Sequence, residues 1–183
     1  TDKLSPLKKL TTEQQDLVNQ IINFTDQHLQ NNYPAIFTIY GDAGTGKSVV
    51  LSALFDQMQK LRHDKNSNFY QTNNYFLVNH PEILKVYKQI AGSLPELLKK
   101  NFQRPTSFIN QLDKKQKKAD IVIIDEAHLL LSKPDHYNNF YHDNQLVEVI
   151  KRSKVVILVF DPYQVLKMKT LWTKDRLEKI THS

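Results

Sequence analysis

The chain has 183 residues, 40% of them hydrophobic and 24% charged, which predicts one soluble globular domain large enough to bury its own core. No stretch of about eighteen apolar residues occurs, which excludes a membrane-spanning helix, and no basic start with an apolar run and cleavage site marks a secretory leader. The lack of cysteine excludes disulfides and thiolate metal sites and fits a reducing, cytoplasmic setting; a net charge of +6 permits a polyanionic partner without requiring one.

In chain order, Thr11 stands at a capping position with Glu13 and Asp16 in the first turn of a helix. Leu17, Ile21, Phe24 and Leu29 give that helix one apolar side, and it ends near Asn31 to Pro34. Residues 35–40 are apolar and β-branched between Pro34 and Gly41, and predict a buried strand. A glycine-rich turn follows, and residues 49–58 continue as a helix. Residues 63–74 are polar and Asn-rich and predict a surface connection. A second strand is expected at 75–79, and a helix from Pro81 to about Ala91, with proline at its first position. Further helices are expected at about 94–102 and 106–112, and the basic run 114–118 as a solvated turn. Residues 121–124 form a continuous apolar run, the mark of a strand covered on both faces. A long polar and aromatic loop over 132–143, a helix over 144–153, a strand over 155–160 and a return to helix after Asp161-Pro162 complete the chain. Alternating strands and helices imply a three-layer α/β fold whose mainly parallel sheet has about five strands. The expected organisation is an N-terminal helical segment, 1–34, belonging to the same domain as a core at 35–170. A tail or the start of a further region follows at 171–183. Thr1 in place of an initiating Met leaves open whether the natural protein is longer.

Gly41, Asp42, Ala43, Gly44, Thr45, Gly46, Lys47 and Ser48 carry the chemistry. Two glycines four residues apart, then Lys and Ser, between a strand and a helix, are what a polyphosphate needs: backbone N–H groups and a positive helix end converging on it. With Val49 they form the expected nucleotide-binding set. Lys47 should reach the β- and γ-phosphates, and Ser48 should place its hydroxyl on Mg2+. Asp125, at the end of the 121–124 strand, is positioned to hold that metal through water. Glu126 beside it is positioned to orient the attacking water, although a carboxylate pair of this kind also caps turns. Gln164, after the last strand, either meets the γ-phosphate or faces solvent on a helix start. His136, Tyr137, His142 and Asp143 match no standard metal spacing and read as a polar loop. His128 either couples the site to a partner or caps a turn. Asn79-His80 before Pro81 reads first as a turn, and Tyr163 and Trp172 first as packing residues.

Three segments together, Gly41 to Ser48, the I-V-I-I-D-E-A-H stretch from Ile121 to His128, and Asp161-x-x-Gln164, resemble the main motifs of superfamily 1 helicases. The closest likeness is to the Schlafen-like DNA/RNA helicase family, over roughly residues 10–166. That resemblance implies a RecA-like P-loop NTPase lobe that binds ATP and Mg2+, with Walker A and Walker B motifs. It also implies that the last-read strand lies between the phosphate-loop strand and the Asp125 strand. Gln14 then takes the adenine-reading position, Gln164 the place beside the γ-phosphate, and Asn79-His80 the strand end that touches single-stranded DNA or RNA. Phe160 departs from the Gly common in such helicases. Arg62, Arg104, Arg152 and Arg176 match no arginine-finger motif, so a second RecA-like lobe or a protein partner is expected to supply that arginine. The leading reading is the first motor lobe of a helicase or translocase, hydrolysing ATP, and its alternative a stand-alone ATP-dependent switch that unwinds nothing. A nucleic-acid-binding module with a vestigial nucleotide site and a small-molecule kinase rank below, because Lys47, Ser48, Asp125 and Glu126 are intact and the acid pair suits water activation.

Overall fold

The computed structural model describes residues 10–42, 46–131 and 145–170. Among them a five-stranded sheet, every pairing parallel, runs in the order β1-β5-β4-β2-β3. The strands are β1 (Ala35–Tyr40), β2 (Asn74–Val78), β3 (Phe102–Gln103), β4 (Ala119–Asp125) and β5 (Ser153–Phe160). The helices are α1 (Thr12–His28), α2 (Lys47–Leu61), α3 (Pro81–Ala91), α4 (Pro105–Lys115), α5 (Gln145–Lys151) and α6, over 162–170. The expected order holds: β5 lies between β1 and β4. This is a RecA-like α/β arrangement.

The continuous apolar runs of β4 and β5 divide by the period of two that a strand imposes. Ile121, Ile123, Val155, Ile157 and Val159 face one core with Leu51, Leu54 and Phe55 of α2 and Ile21 of α1. Val122, Ile124, Val156 and Leu158 face a second core with Phe108 and Leu112 of α4 and Leu146 and Val149 of α5. Each such side chain, fully buried, stabilises the fold by about 1.5–3 kcal/mol.

Local signals set the helix ends. In α1 the Thr11 hydroxyl accepts from Gln14 N at 3.1 Å and Gln14 Oε1 accepts from Thr11 N at 2.9 Å, a reciprocal capping box. Pro81 opens α3, where His80 Nδ1 accepts from Ile83 N at 3.2 Å. Pro105 opens α4.

Three expectations fail, one of them that Tyr163 packs: it is exposed on α6. The segment expected to be helical at 94–102 instead forms turns, a single 3-10 turn (Lys99–Asn101) and β3. Phe102 pairs with Phe76 of β2 and enters an aromatic group with Phe55, Phe76 and Tyr87, so edge pairing and ring burial outweigh the local leucine spacing. The 63–74 connection is not wholly at the surface either, since Phe69, Thr72 and Asn74 are buried. The loop expected at 132–143 and the segment 171–183 lie outside the described residues.

Candidate functional site

The C-terminal ends of β1, β5 and β4 come together on one edge of the sheet, where the sequence turns from strand into chemistry-bearing loops. Register places Tyr40 beside Phe160 and Val78 beside Asp125. Gly41 N donates to Phe160 O at 2.9 Å, which sends the chain out of β1 over the end of β5. Gly46 precedes α2 with φ of 72°, a left-handed conformation that favours glycine, and Val49 and Val50 N donate back to its carbonyl. Lys47 is therefore the first residue of α2, with Ser48 and Val49 half-buried in the same turn. Ala43, Gly44 and Thr45 lie outside the described residues.

Lys47 Nζ sits between two carboxylates, 3.0 Å from Asp125 Oδ1 and 2.8 Å from Glu126 Oε1. Burial pushes its ammonium toward losing its proton, but hydrogen bonds and charge attraction from Glu126 and Asp125 outweigh that and raise its pKa above the ordinary lysine value. Asp125 closes β4 and is buried. Its Oδ2 accepts from the Tyr87 hydroxyl at 2.6 Å and its Oδ1 from Glu126 N at 2.8 Å. Burial among apolar rings, then the nearby Asp125 charge, drive the Tyr87 pKa far up, so this hydroxyl remains a donor. Glu126 turns the chain out of the strand with φ of 50°, leaving its carboxylate partly exposed. His128, 6% exposed, places Nε2 3.4 Å from Glu126 Oε2, while its Nδ1 has no partner among the described residues. Desolvation lowers the His128 pKa, partly opposed by Glu126 and Asp161.

Beside this centre a cleft of ≈ 330 Å³ is lined by Gln14, Leu17, Tyr40, Asp42 and Lys47, among others. The Gln14 side chain reaches across to Gly46, its Nε2 3.5 Å from where a Cβ would stand. The structure thus brings together Gln14, Gly41, Asp42, Gly46, Lys47, Asp125 and Glu126. Gln164 is half-buried on α6 and makes no hydrogen bond with Lys47, Asp125 or Glu126. Asn79 Oδ1 accepts from Arg104, and His80 caps α3. Of the arginines, Arg62 donates to Thr72 O and Arg152 bridges Asp113 and Glu148; none of these three described arginines contacts Lys47 or the carboxylates. Arg176 lies outside the described residues.

The donor set suits a hard divalent cation. Asp125, Glu126 and Ser48 are oxygen donors, and the carboxylates already share one cationic group, the Lys47 ammonium. Among the described residues no group of three or more His, Cys, Asp or Glu could hold a metal ion by itself. Sequence reasoning missed Tyr87. The available signal was a hydroxyl on the apolar face of α3, since a buried tyrosine oxygen needs a partner.

The model of the Schlafen group 3 DNA/RNA helicase domain matches residues 34–183. The chain belongs to that family. It is also 42% identical over 171 residues to an uncharacterized protein of Saccharomyces cerevisiae, YPL245W, covering 89% of this chain. A shorter stretch of 52 residues is 36% identical to an ORC1-type DNA replication protein 5 of Halobacterium salinarum, covering 28% of this chain and 12% of that protein. The chain spans 38% of the length of its yeast relative. Among the described residues no helix is long and apolar enough to cross a membrane.

Proposed function

We propose that this helicase-like domain is the ATP-binding first motor lobe of a nucleic-acid-acting protein, and that it hydrolyses ATP with Mg2+. The observation that carries this reading is the position of Lys47 Nζ, between the Asp125 and Glu126 carboxylates at the mouth of a parallel sheet and one residue past Gly46. The same ammonium can exchange those carboxylates for the β- and γ-phosphates, releasing both acids for the metal and the attacking water. In this reading Gln14 meets the adenine and the amides of residues 41–49 hold the phosphates. Ser48 and Asp125 hold Mg2+, Asp125 through water; that ion would draw off the charge building on the phosphate oxygens. Tyr87 and Glu126 N orient Asp125. Glu126 takes up the proton of the attacking water, with His128 behind it, and Gln164 senses the γ-phosphate. The family match and the partial likeness to a DNA replication protein support single-stranded DNA or RNA as the partner.

Titration with a fluorescent ATP analogue, beside turnover measurements, tests the roles. Lys47→Ala should lose Mg2+-ATP binding, and Glu126→Gln should keep binding and lose turnover by about a hundredfold or more. Normal turnover by Glu126→Gln would overturn the catalytic assignment. A second reading is favoured by the arginines: with Arg62, Arg104 and Arg152 all engaged elsewhere, the chain is an ATP-dependent switch that unwinds nothing. Turnover that single-stranded DNA and RNA both leave unchanged would favour the switch.

A further inference from the structure

Exposed apolar side chains are unevenly spread over this molecule. Nine large hydrophobic residues are exposed among the described residues, and five of them, Tyr33, Ile36, Tyr40, Tyr163 and Leu166, lie on β1, just before it, or on α6. β1 is the end strand of the sheet, and its only pairing among the described residues is with β5. Its Phe37 and Ile39 face the core shared with α1, where Phe37 and Phe24 meet edge to face. Ile36, Thr38 and Tyr40 alternate to the other face and are exposed. The register partners of Ile36 and Thr38, Val156 and Leu158 on β5, are buried with α4 and α5. Helix cover on that face therefore stops one strand short of the edge. A lone exposed hydrophobic residue needs no explanation, but a strip of them beside an unpaired strand edge marks a contact surface.

The connections between strands indicate what fills the gap. α4 and α5 carry the chain from β3 to β4 and from β4 to β5, steps toward the β1 edge, and both lie on the face of Val122 and Leu158. α2 and α3 step the other way and lie on the opposite face, with Ile121 and Ile157. All four crossovers thus have one hand, as parallel sheets favour. α6 leaves β5, whose last residue Phe160 stacks on Tyr40 of β1. Toward β4 both faces are already covered. Continuing toward the β1 edge with the same hand brings the chain over Ile36, Thr38 and Tyr40. The thirteen residues after α6, 171–183, include Leu171, Trp172, Leu177 and Ile180. Thirteen residues reach up to about 45 Å when extended, more than twice the roughly 20 Å of a six-residue strand.

We propose that residues 171–183 dock on the open face of β1, with Trp172 against Ile36 and Tyr40, and complete the cover of the sheet at that edge. The occupant of the apolar strip is then this chain's own segment after α6, not a second copy or another protein. The contact does not depend on the function proposed for the phosphate loop.

Trp172 is the one tryptophan of the chain, so the fluorescence of the whole chain reads this contact directly. Wild type should emit at shorter wavelength than in urea, with Trp172 protected from iodide quenching. Ile36→Glu should shift the emission to longer wavelength and open Trp172 to iodide. Val86→Glu, at a matched position on α3 (46% exposed against 44% for Ile36), should change neither. The lack of cysteine permits a second measurement that places no charge in the contact. A nitroxide on Thr38→Cys should broaden the Trp172 indole NMR signal, and one on Lys85→Cys, exposed on α3 across the sheet, should not. If Ile36→Glu proves unfolded by circular dichroism, the label pair decides alone. Sedimentation identifies the rival occupant: a dimer that Ile36→Glu dissociates, with Trp172 open to iodide throughout, would put a second copy on the face and overturn the proposal. Trp172 open to iodide in a monomeric wild type, or shielded yet indifferent to both Ile36→Glu and the Thr38 label, overturns it as well.

Discussion

Tyr87 and His128 show how single side chains behind the Lys47 centre set its properties. The Tyr87 hydroxyl is buried and donates to Asp125 Oδ2, so Tyr87→Phe leaves a buried carboxylate oxygen without its partner. A hydrogen bond to a charged group is worth about 1.5–3 kcal/mol, and urea denaturation should show a loss in that range. With Asp125 less tightly held, the Mg2+ concentration needed for half-maximal stabilisation by ATP should also rise. Unchanged stability and unchanged Mg2+ dependence would remove Tyr87 from the site. His128 gives a pH dependence. Its folded pKa is depressed below the ordinary 6.5, chiefly by burial, so the unfolded chain takes up its proton first as pH falls. Its contribution is therefore complete above about pH 6.5 and is lost as pH drops from there toward the folded pKa. Denaturation midpoints across that window should fall more steeply for wild type than for His128→Gln. Parallel slopes would show that the ring titrates freely.

At the scale of elements, strong periodic signals survived and a weak one did not. The residues of β4 and β5 were readable because each is a short, β-branched, unbroken apolar run, as a strand covered on both faces requires, and the two cores use its alternate members. The Lys47, Asp125 and Glu126 arrangement was legible for a related reason: a glycine turn after one strand and an acid pair after another meet once parallel pairing aligns the strand ends. The 94–102 segment was not legible. Leu94, Leu97 and Leu98 mimic one turn of an apolar helix face, yet Leu98 is exposed and Phe102 leaves the pattern to pair with Phe76. Only the tertiary position of β2 and its aromatic neighbours decides that. Phe102→Ala should accordingly cost about 3–5 kcal/mol, because it empties a site ringed by Phe55, Phe76 and Tyr87. Chemical denaturation measures it. A loss under about 1 kcal/mol would mean that β3 is a marginal edge with little share in the core.

For the whole molecule the deciding quantity is how fast this chain alone turns over ATP. Transition-state charge on the phosphoryl oxygens is commonly met by an arginine, and that arginine is worth about 10³–10⁵ in rate. Arg62 is tied to Thr72, Arg104 to Asn79 and Arg152 to Asp113 and Glu148. Arg152 is the least free of them, since the hydrogen bonds it donates to Asp113 and then Glu148 stabilise its charged form. Moving any of these three would break contacts between elements that the fold uses. The chain should therefore bind Mg2+-ATP and hydrolyse it slowly, below about 0.01 s⁻¹, the range of phosphate-loop enzymes that lack the finger. Arg176 belongs in the same assay as an Arg176→Ala variant. Turnover in the range of about 1–10 s⁻¹ that falls at least tenfold in Arg176→Ala would place the finger in this chain. Slow turnover that Arg176→Ala leaves unchanged would require the arginine to come from another lobe or a partner, and would make ATP hydrolysis here a report on that encounter.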